Sequence, residues 1–168
     1  MLTIRGRLHM FTLDDADGEF YFTRSNVCMP QSGSIYSFND AYAEHWEPGV
    51  RNFLHDFKAK QLAGMTPNNN AMRKPTSRYM GSLVADVHNL LLHGGIFGYP
   101  GTISKPKGKL RLLYEANPIG LIVEEAGGMA SNGKGRILDL AVTDIHQRTP
   151  YFVGSVDEVQ ALERYISY

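Results

Sequence analysis

The chain has 168 residues, of which 43% are hydrophobic and 20% are charged, as is usual for a folded protein of one domain. Seventeen basic residues balance seventeen acidic ones, which excludes a global attraction to nucleic acid or to an anionic membrane, and no apolar run reaches the roughly 18 residues of a transmembrane helix. The single cysteine, Cys28, excludes an intramolecular disulfide and a cysteine-based zinc cage, and we expect it to be half-buried by packing.

The first third of the chain predicts a β-hairpin followed by a helix. Residues 2–13 and 19–24 are rich in β-branched and aromatic residues, and the acidic segment between them lacks the closing glutamate of a calcium loop, so we interpret it as a turn. After Pro48 the apolar residues recur with helical spacing, at Val50, Phe53, Leu54 and Phe57. A polar loop is predicted over residues 63–75.

The rest of the chain predicts helices and strands in alternation. In chain order we expect a helix from Ser82 to Gly94, strands over 96–100 and 109–115, a helix capped by Asn117 and ended by Gly127, strands over 136–140 and 151–153, and a last helix opened by a capping box of Ser155 and Glu158. Such alternation is typical of an α/β sandwich.

The basic segment over 105–115 is the most informative part of the sequence. In a strand, Lys109, Arg111 and Glu115 would share one face, with alternate residues about 6.5–7 Å apart. Two cations at that spacing could bind the phosphates of a small ligand, and a carboxylate beyond them could bind a divalent cation. An exposed strand with ordinary solvated charges explains the spacing equally well.

Seven stretches of the sequence form a distinctive set when taken in order, namely residues 11–14, 35–39, 77–88, 94–100, 107–115, 125–128 and 145–150. Together they resemble the C-terminal half of class I fructose-1,6-bisphosphatases. The resemblance covers essentially the whole chain and is weakest over 64–74. It implies an α/β fold, an α/β/α sandwich with a mixed sheet.

The resemblance also implies a binding site for the phosphate that is not hydrolysed. Its residues would be Asn39, Tyr42, Tyr79, Tyr99 and Lys109, with Arg78 reaching in from a neighbouring subunit. Lysine supplies a point charge, and tyrosine and amide groups donate oriented hydrogen bonds to phosphate. Outside this motif context, each tyrosine would be read as a half-buried core aromatic.

Two further residues follow from the same resemblance. Arg111 would lie beside the sugar ring or the phosphate on the metal side, although a strand-edge ion pair is the alternative. Glu115 would be a ligand of the catalytic magnesium, and one carboxylate cannot satisfy that ion without partner carboxylates or substrate phosphate.

The implied reaction is hydrolysis of the 1-phosphate of fructose 1,6-bisphosphate to fructose 6-phosphate, in gluconeogenesis and carbohydrate metabolism. The family's Asp-Pro-Leu-Asp-Gly metal motif is not found in the sequence. We therefore expect residues 1–168 to form a single sugar-phosphate-binding domain without the N-terminal metal-binding half, inactive alone. Sedoheptulose-1,7-bisphosphatase and a non-catalytic sugar-phosphate-binding module are the alternatives.

The expected partners and location also follow from the resemblance. They are a sugar bisphosphate, the N-terminal half or another chain that supplies it, and further copies in a homo-oligomer. Neither nucleic acid nor a membrane is expected as a partner. The expected compartment is the cytoplasm, or the plastid stroma if a transit peptide preceded this sequence.

Overall fold

The chain is built around a mixed β-sheet, seen in a computed structural model that describes residues 1–59 and 74–167. The strands are β1 (Leu2–Thr3), β2 (Leu8–Leu13), β3 (Phe20–Arg24), β4 (Ile35–Ser37), β5 (Thr76–Ser77), β6 (Gly95–Tyr99), β7 (Leu110–Arg111), β8 (Met129–Ser131), β9 (Arg148–Thr149) and β10 (Tyr151–Gly154). The helices are α1 (Pro48–Lys58), α2 (Leu83–His93), α3 (Asn117–Glu125) and α4 (Val156–Ile166). Short 3-10 helices occupy Asp40–His45 and Ile137–Asp139, and a π-helical turn occupies Leu112–Ala116.

The central sheet has five strands in the order β5-β4-β6-β10-β8. Strand β4 runs parallel to β5 and β6, whereas β10 runs antiparallel to β6 and β8. Because side chains alternate along a strand, Ile96 and Phe152 pack into one core with α1 and α4, and Phe97 and Val153 pack into another with α2 and α3. The predicted α/β/α sandwich with a mixed sheet is confirmed.

The predicted helices are also confirmed. In α1 the residues of the apolar stripe are all buried, and α2 ends at Gly94 as expected. None of the helices in the described parts of the chain is both long enough and apolar enough to cross a membrane. The predicted polar loop falls outside the described residues over 63–73.

The N-terminal segment forms the predicted hairpin of β2 and β3, but the first strand is shorter than expected. Ile4 and Arg7 exchange backbone hydrogen bonds of 2.9 and 3.2 Å, and the intervening Arg5 adopts a positive φ of 53°. The chain therefore reverses there, and β1 pairs antiparallel with β2. Strand β2 becomes the middle of a three-stranded sheet, and its edges are β1 and β3.

The prediction of a strand over 109–115 was wrong beyond Arg111. Strand β7 pairs only with the two residues of β9, and the chain then coils into the π-helical turn. This turn buries Leu112 and Ala116 completely in the core of α2 and α3, while Tyr114, which a straight strand would place on the same face, stays 45% exposed.

The predicted strand over 136–140 was also wrong. Arg136 binds Glu124 at 2.7 Å and Asp139 at 2.7 Å, and residues 137–139 form a 3-10 helix that buries Ile137. The strand in this region is instead β8, which pairs with β10.

Two predicted caps and the predicted burial of Cys28 also need correction. Asn117 lies inside a helical run continued from the preceding turn, so it does not cap α3. Ser155 precedes α4, but its hydroxyl donates to the Pro30 carbonyl at 2.7 Å, while Glu158 accepts from the Gly33 amide at 3.0 Å. Long-range partners have replaced the capping box. Cys28 is exposed.

Candidate functional site

A cavity of about 320 Å³ opens between the Asp40–His45 helix and the segment that follows β6. Its lining includes four of the predicted binding residues, namely Asn39, Tyr42, Tyr99 and Lys109. They come from three separate parts of the chain, before and within the 3-10 helix, at the end of β6, and immediately before β7. The fold thus brings together two phenols, an amide and an ammonium group.

The position of Tyr99 depends on close packing behind it. At Gly98, a Cβ atom would lie 2.0 Å from the Phe38 ring, so only glycine lets β6 approach that ring. Phe38 is itself buried and packs edge-on against Trp46, with ring centroids 5.8 Å apart. The wall that carries Tyr99 is therefore joined directly to the core.

Lys109 is positioned by the short ribbon of β7 and β9. Gly108 has a φ of 72°, and a Cβ there would lie 2.5 Å from the Thr149 carbonyl, so the turn requires glycine. The Arg148 guanidinium then donates to the Lys109 carbonyl at 2.8 Å. With its backbone held, Lys109 places its ammonium nitrogen 6.0 Å from the centre of the Tyr99 ring.

Tyr79 lies beside this group of residues and is half-buried. Burial, and then the neighbouring Tyr99 hydroxyl, raise the pKa of Tyr79, whereas the Asn39 side chain acts in the opposite direction. The phenol therefore stays protonated at neutral pH and can donate to an anion. Behind it, buried Asp86 accepts hydrogen bonds from Ser37 at 2.7 Å and from the Met80 amide at 2.9 Å, which fixes the segment that carries Tyr79.

Arg78 does not join the cavity. Its side chain is exposed, donates to the Ser77 carbonyl at 3.0 Å, and lies by a shallow groove along α2 with Met80 and Val84. Its predicted contact with a neighbouring copy's phosphate is compatible with that exposure and stays a prediction.

Arg111 and Glu115 bind each other. The Arg111 backbone amide donates to Glu115 Oε2 at 2.7 Å, and its guanidinium lies 3.5 Å from Oε1. The two residues meet across one helical turn rather than along a strand, and the predicted role of Arg111 beside the sugar stays a prediction. Over residues 1–59 and 74–167, no group of three or more histidine, cysteine, aspartate or glutamate side chains could hold a metal ion.

Sequence reasoning missed some residues of the cavity. They are His45, Trp46, Thr102, Ser104 and Lys105. Lys105 belongs to the basic segment already singled out, and its position beside Pro106 and Gly108 was the available signal. The others carry no pattern of their own, because only the approach of the 3-10 helix to the loop after β6 makes them neighbours, as the bridge between Trp46 and Thr102 shows.

This lining suits an anion with several oxygen acceptors. Lys105 and Lys109 supply positive charge, and phenol, hydroxyl and amide groups supply donors. Residues 29–167 match the family described as "Fructose-1-6-bisphosphatase, C-terminal domain". The chain belongs to the fructose-1,6-bisphosphatase family. The cavity therefore lies in a chain whose family is named for a sugar bisphosphatase.

Individual fructose-1,6-bisphosphatases are similar to this chain in sequence and in fold. The chain is 46% identical over 158 residues to the class 1 enzyme of Chloroherpeton thalassium, and 45% identical over 168 residues to the chloroplastic enzyme of Pisum sativum. The crystal structure of the Leishmania major enzyme in holo form superposes with a TM-score of 0.85 at 40% identity, covering 97% of this chain and 47% of that one. The first two matches span 94% and 99% of this chain, but only 43% and 39% of the relatives' own lengths.

Proposed function

We propose that this chain is the sugar-phosphate-binding portion of a fructose-1,6-bisphosphatase. The observation that carries the proposal is the convergence of Asn39, Tyr42, Tyr99 and Lys109 on one cavity, with Tyr79 beside them. In this proposal the cavity holds the 6-phosphate, and residues 1–168 act as one sugar-phosphate-binding domain.

The proposed reaction of the whole enzyme is hydrolysis of the 1-phosphate of fructose 1,6-bisphosphate, a step of carbohydrate metabolism. By holding the 6-phosphate, this chain would fix the distance and direction of the 1-phosphate relative to the groups that act on it. Such positioning can account for a large part of a catalytic barrier. The relatives described above are named as fructose enzymes, which favours fructose over sedoheptulose bisphosphate.

Magnesium is the proposed cofactor, but the described residues do not form a site for it. The ion requires near-octahedral oxygen ligands. Glu115 offers one carboxylate, and that carboxylate already accepts from Arg111. We therefore propose Glu115 as a single ligand that needs oxygens from outside these residues, and we propose that the isolated chain is inactive.

One proposed partner is a polypeptide equivalent to the part of the relatives that this chain does not match. The other is further copies of this chain in a homo-oligomer. The exposure of Arg78 supports a role at the site of a neighbouring copy. The relatives include chloroplastic and bacterial enzymes, which supports both predicted compartments, the plastid stroma and the cytoplasm.

Binding of fructose 6-phosphate tests the site directly. Lys109→Ala should weaken binding roughly ten- to hundredfold, because a lost charge-assisted hydrogen bond costs about 1.5–3 kcal/mol. Lys74→Ala is the matched control, since Lys74 is exposed and does not line this cavity. NMR titration of the labelled chain is the measurement, and unmoved Tyr99 and Lys109 resonances would reject the site.

An assay of phosphate release distinguishes a portion of an enzyme from a non-catalytic sugar-phosphate-binding module. The purified chain should release no phosphate from fructose 1,6-bisphosphate with magnesium, because the described residues provide no metal site of their own. Co-expression with the unmatched portion of the Chloroherpeton relative should restore release, and Glu115→Gln should lower it. Turnover by the chain alone, free of contaminating phosphatase, would contradict the proposal. If this chain and the co-expressed portion assemble well but release no phosphate, the result would favour the non-catalytic binding module.

A further inference from the structure

A second cleft, of about 410 Å³, lies on the other side of the loop that carries Lys109. Pro100 contributes to both the cavity and the cleft, but the two otherwise have different linings. Lys107 points to the cleft, while Lys105 and Lys109 line the cavity. The volume is within the range of small-molecule sites.

The charge of the cleft is positive. Among the described residues its lining includes three cations, Lys107, Lys134 and Arg148, against one carboxylate, Glu47. Other basic residues of the chain, such as Arg136 and Lys58, are paired with carboxylates within 4 Å. Within residues 1–59 and 74–167, the cations of the cleft have no such pairing, so their charge is available to a ligand.

Some donors of the cleft are held in place before any ligand arrives. The Asn132 side-chain oxygen accepts from the amides of Lys134 and Gly135 at 2.8 and 2.9 Å, so its NH₂ group is the part left for a ligand. Arg148 uses one N–H on the Lys109 carbonyl at 2.8 Å, and a guanidinium has five. Donors fixed in this way lose less conformational entropy when they bind.

The cleft also has apolar walls. They are formed by Val50, Leu140, Pro150, Phe152 and Ile166, of which Val50 and Phe152 belong to the buried core. A rigid apolar wall beside a group of cations strengthens their attraction for an anion, because it lowers the local dielectric constant. A compact anion that fills the cleft would contact both the cations and the apolar wall.

We propose that this cleft is a second anion site, which binds a small ligand with two carboxylate or phosphate groups. Three positive charges against one negative charge leave a net charge of two, which a dianion neutralises. Arginine suits the planar or forked oxygens of either group, and the two lysines add point charges. The proposal does not depend on the proposed function of the cavity, since the two sites have different cations.

The experiment uses malonate, pyrophosphate and acetate as probes of the full chain. Backbone amide resonances of Asn132, Lys134 and Phe152 should shift with malonate and with pyrophosphate, the two probes that carry two acidic groups, and acetate should bind at least tenfold more weakly than malonate. A stronger response to malonate or to pyrophosphate tells which of the two groups the site prefers. Equal binding of acetate and malonate, or no shift at these residues with millimolar probe, would overturn the proposal.

Three variants locate the binding and separate it from a general loss of folding. Lys134→Ala should weaken malonate binding roughly tenfold or more, whereas Lys74→Ala, at an exposed lysine outside both the cavity and the cleft, should leave it unchanged. Glu47→Gln should tighten binding, an increase that a damaged fold could not produce. Unchanged affinity in both Lys134→Ala and Glu47→Gln, with normal unfolding curves, would overturn the proposal.

Discussion

The two principal sheets of this protein use aromatic strand residues in opposite ways. In the central sheet, Phe152 of β10 is 1% exposed, because helices cover both faces. In the N-terminal sheet, Phe20 and Phe22 of β3 are 68% and 58% exposed, and no residue of β3 is buried. Aromatic residues in a strand therefore indicate a pleated backbone, whereas their burial depends on what packs over the sheet.

The most disruptive test of this comparison removes one aromatic side chain from each sheet. Phe152→Ala should lower the free energy of unfolding by about 3–5 kcal/mol, since it leaves a cavity in a packed core. Phe22→Ala should lower it by less than about 1 kcal/mol, because Phe22 is 58% exposed and its ring contacts are with Phe11, at 5.5 Å between ring centroids, and more loosely with His9. Urea unfolding at one pH measures both. Similar losses would show that β3 is covered after all.

A second test uses a buried carboxyl group in the sandwich. Burial raises the pKa of Glu158 from 4.5 to about 8, only partly opposed by the Gly33 amide that donates to it. Its Oε2 atom is buried and has no hydrogen-bond partner among the described residues. The native state therefore favours the protonated acid, whereas the unfolded state ionises near pH 4.5.

The sign of the effect follows from these two pKa values. The stability contributed by protonated Glu158 is complete below pH 4.5 and is lost as the pH rises towards about 8. The slope should approach about 1.4 kcal/mol per pH unit. Glu158→Gln should abolish this dependence of stability on pH and should be more stable than the parent at pH 8. Glu44→Gln changes an exposed carboxylate and should keep the dependence. Parallel pH profiles for the parent and Glu158→Gln would contradict this reading.

The smallest expected effect on stability concerns the exposed face of β3. We expect this face and the edge strand β1 to drive self-association, since exposed apolar groups and unpaired strand edges both invite another chain. Replacing Phe20 and Phe22 by serine should shift the chain towards monomer while changing the unfolding free energy by less than about 1 kcal/mol. Light scattering over a concentration series measures the shift, and a monodisperse parent monomer at high concentration would contradict the expectation.

Much of the candidate site was accessible from sequence, but its arrangement was not. Asn39, Tyr42, Tyr99 and Lys109 were chosen from motifs, and the structure places them around one cavity. Their grouping depends on contacts between segments separated by dozens of residues, including the approach of Phe38 to Gly98. Arg111 and Glu115 show the limit of periodicity, because the strand that would have aligned them ends at the first of the two.

The sequence by itself determined the helices, several strands and the sandwich architecture, because helical and strand periodicities are local and are repeated over many residues. Tertiary structure decided the rest. Burial of Leu112 and Ala116 turned a predicted strand into a π-helical turn. The hydrogen-bond partners of the buried residues Ser155 and Glu158 lie 125 residues away and displaced a local capping box. Such choices depend on the free energy of long-range burial, which no local pattern records.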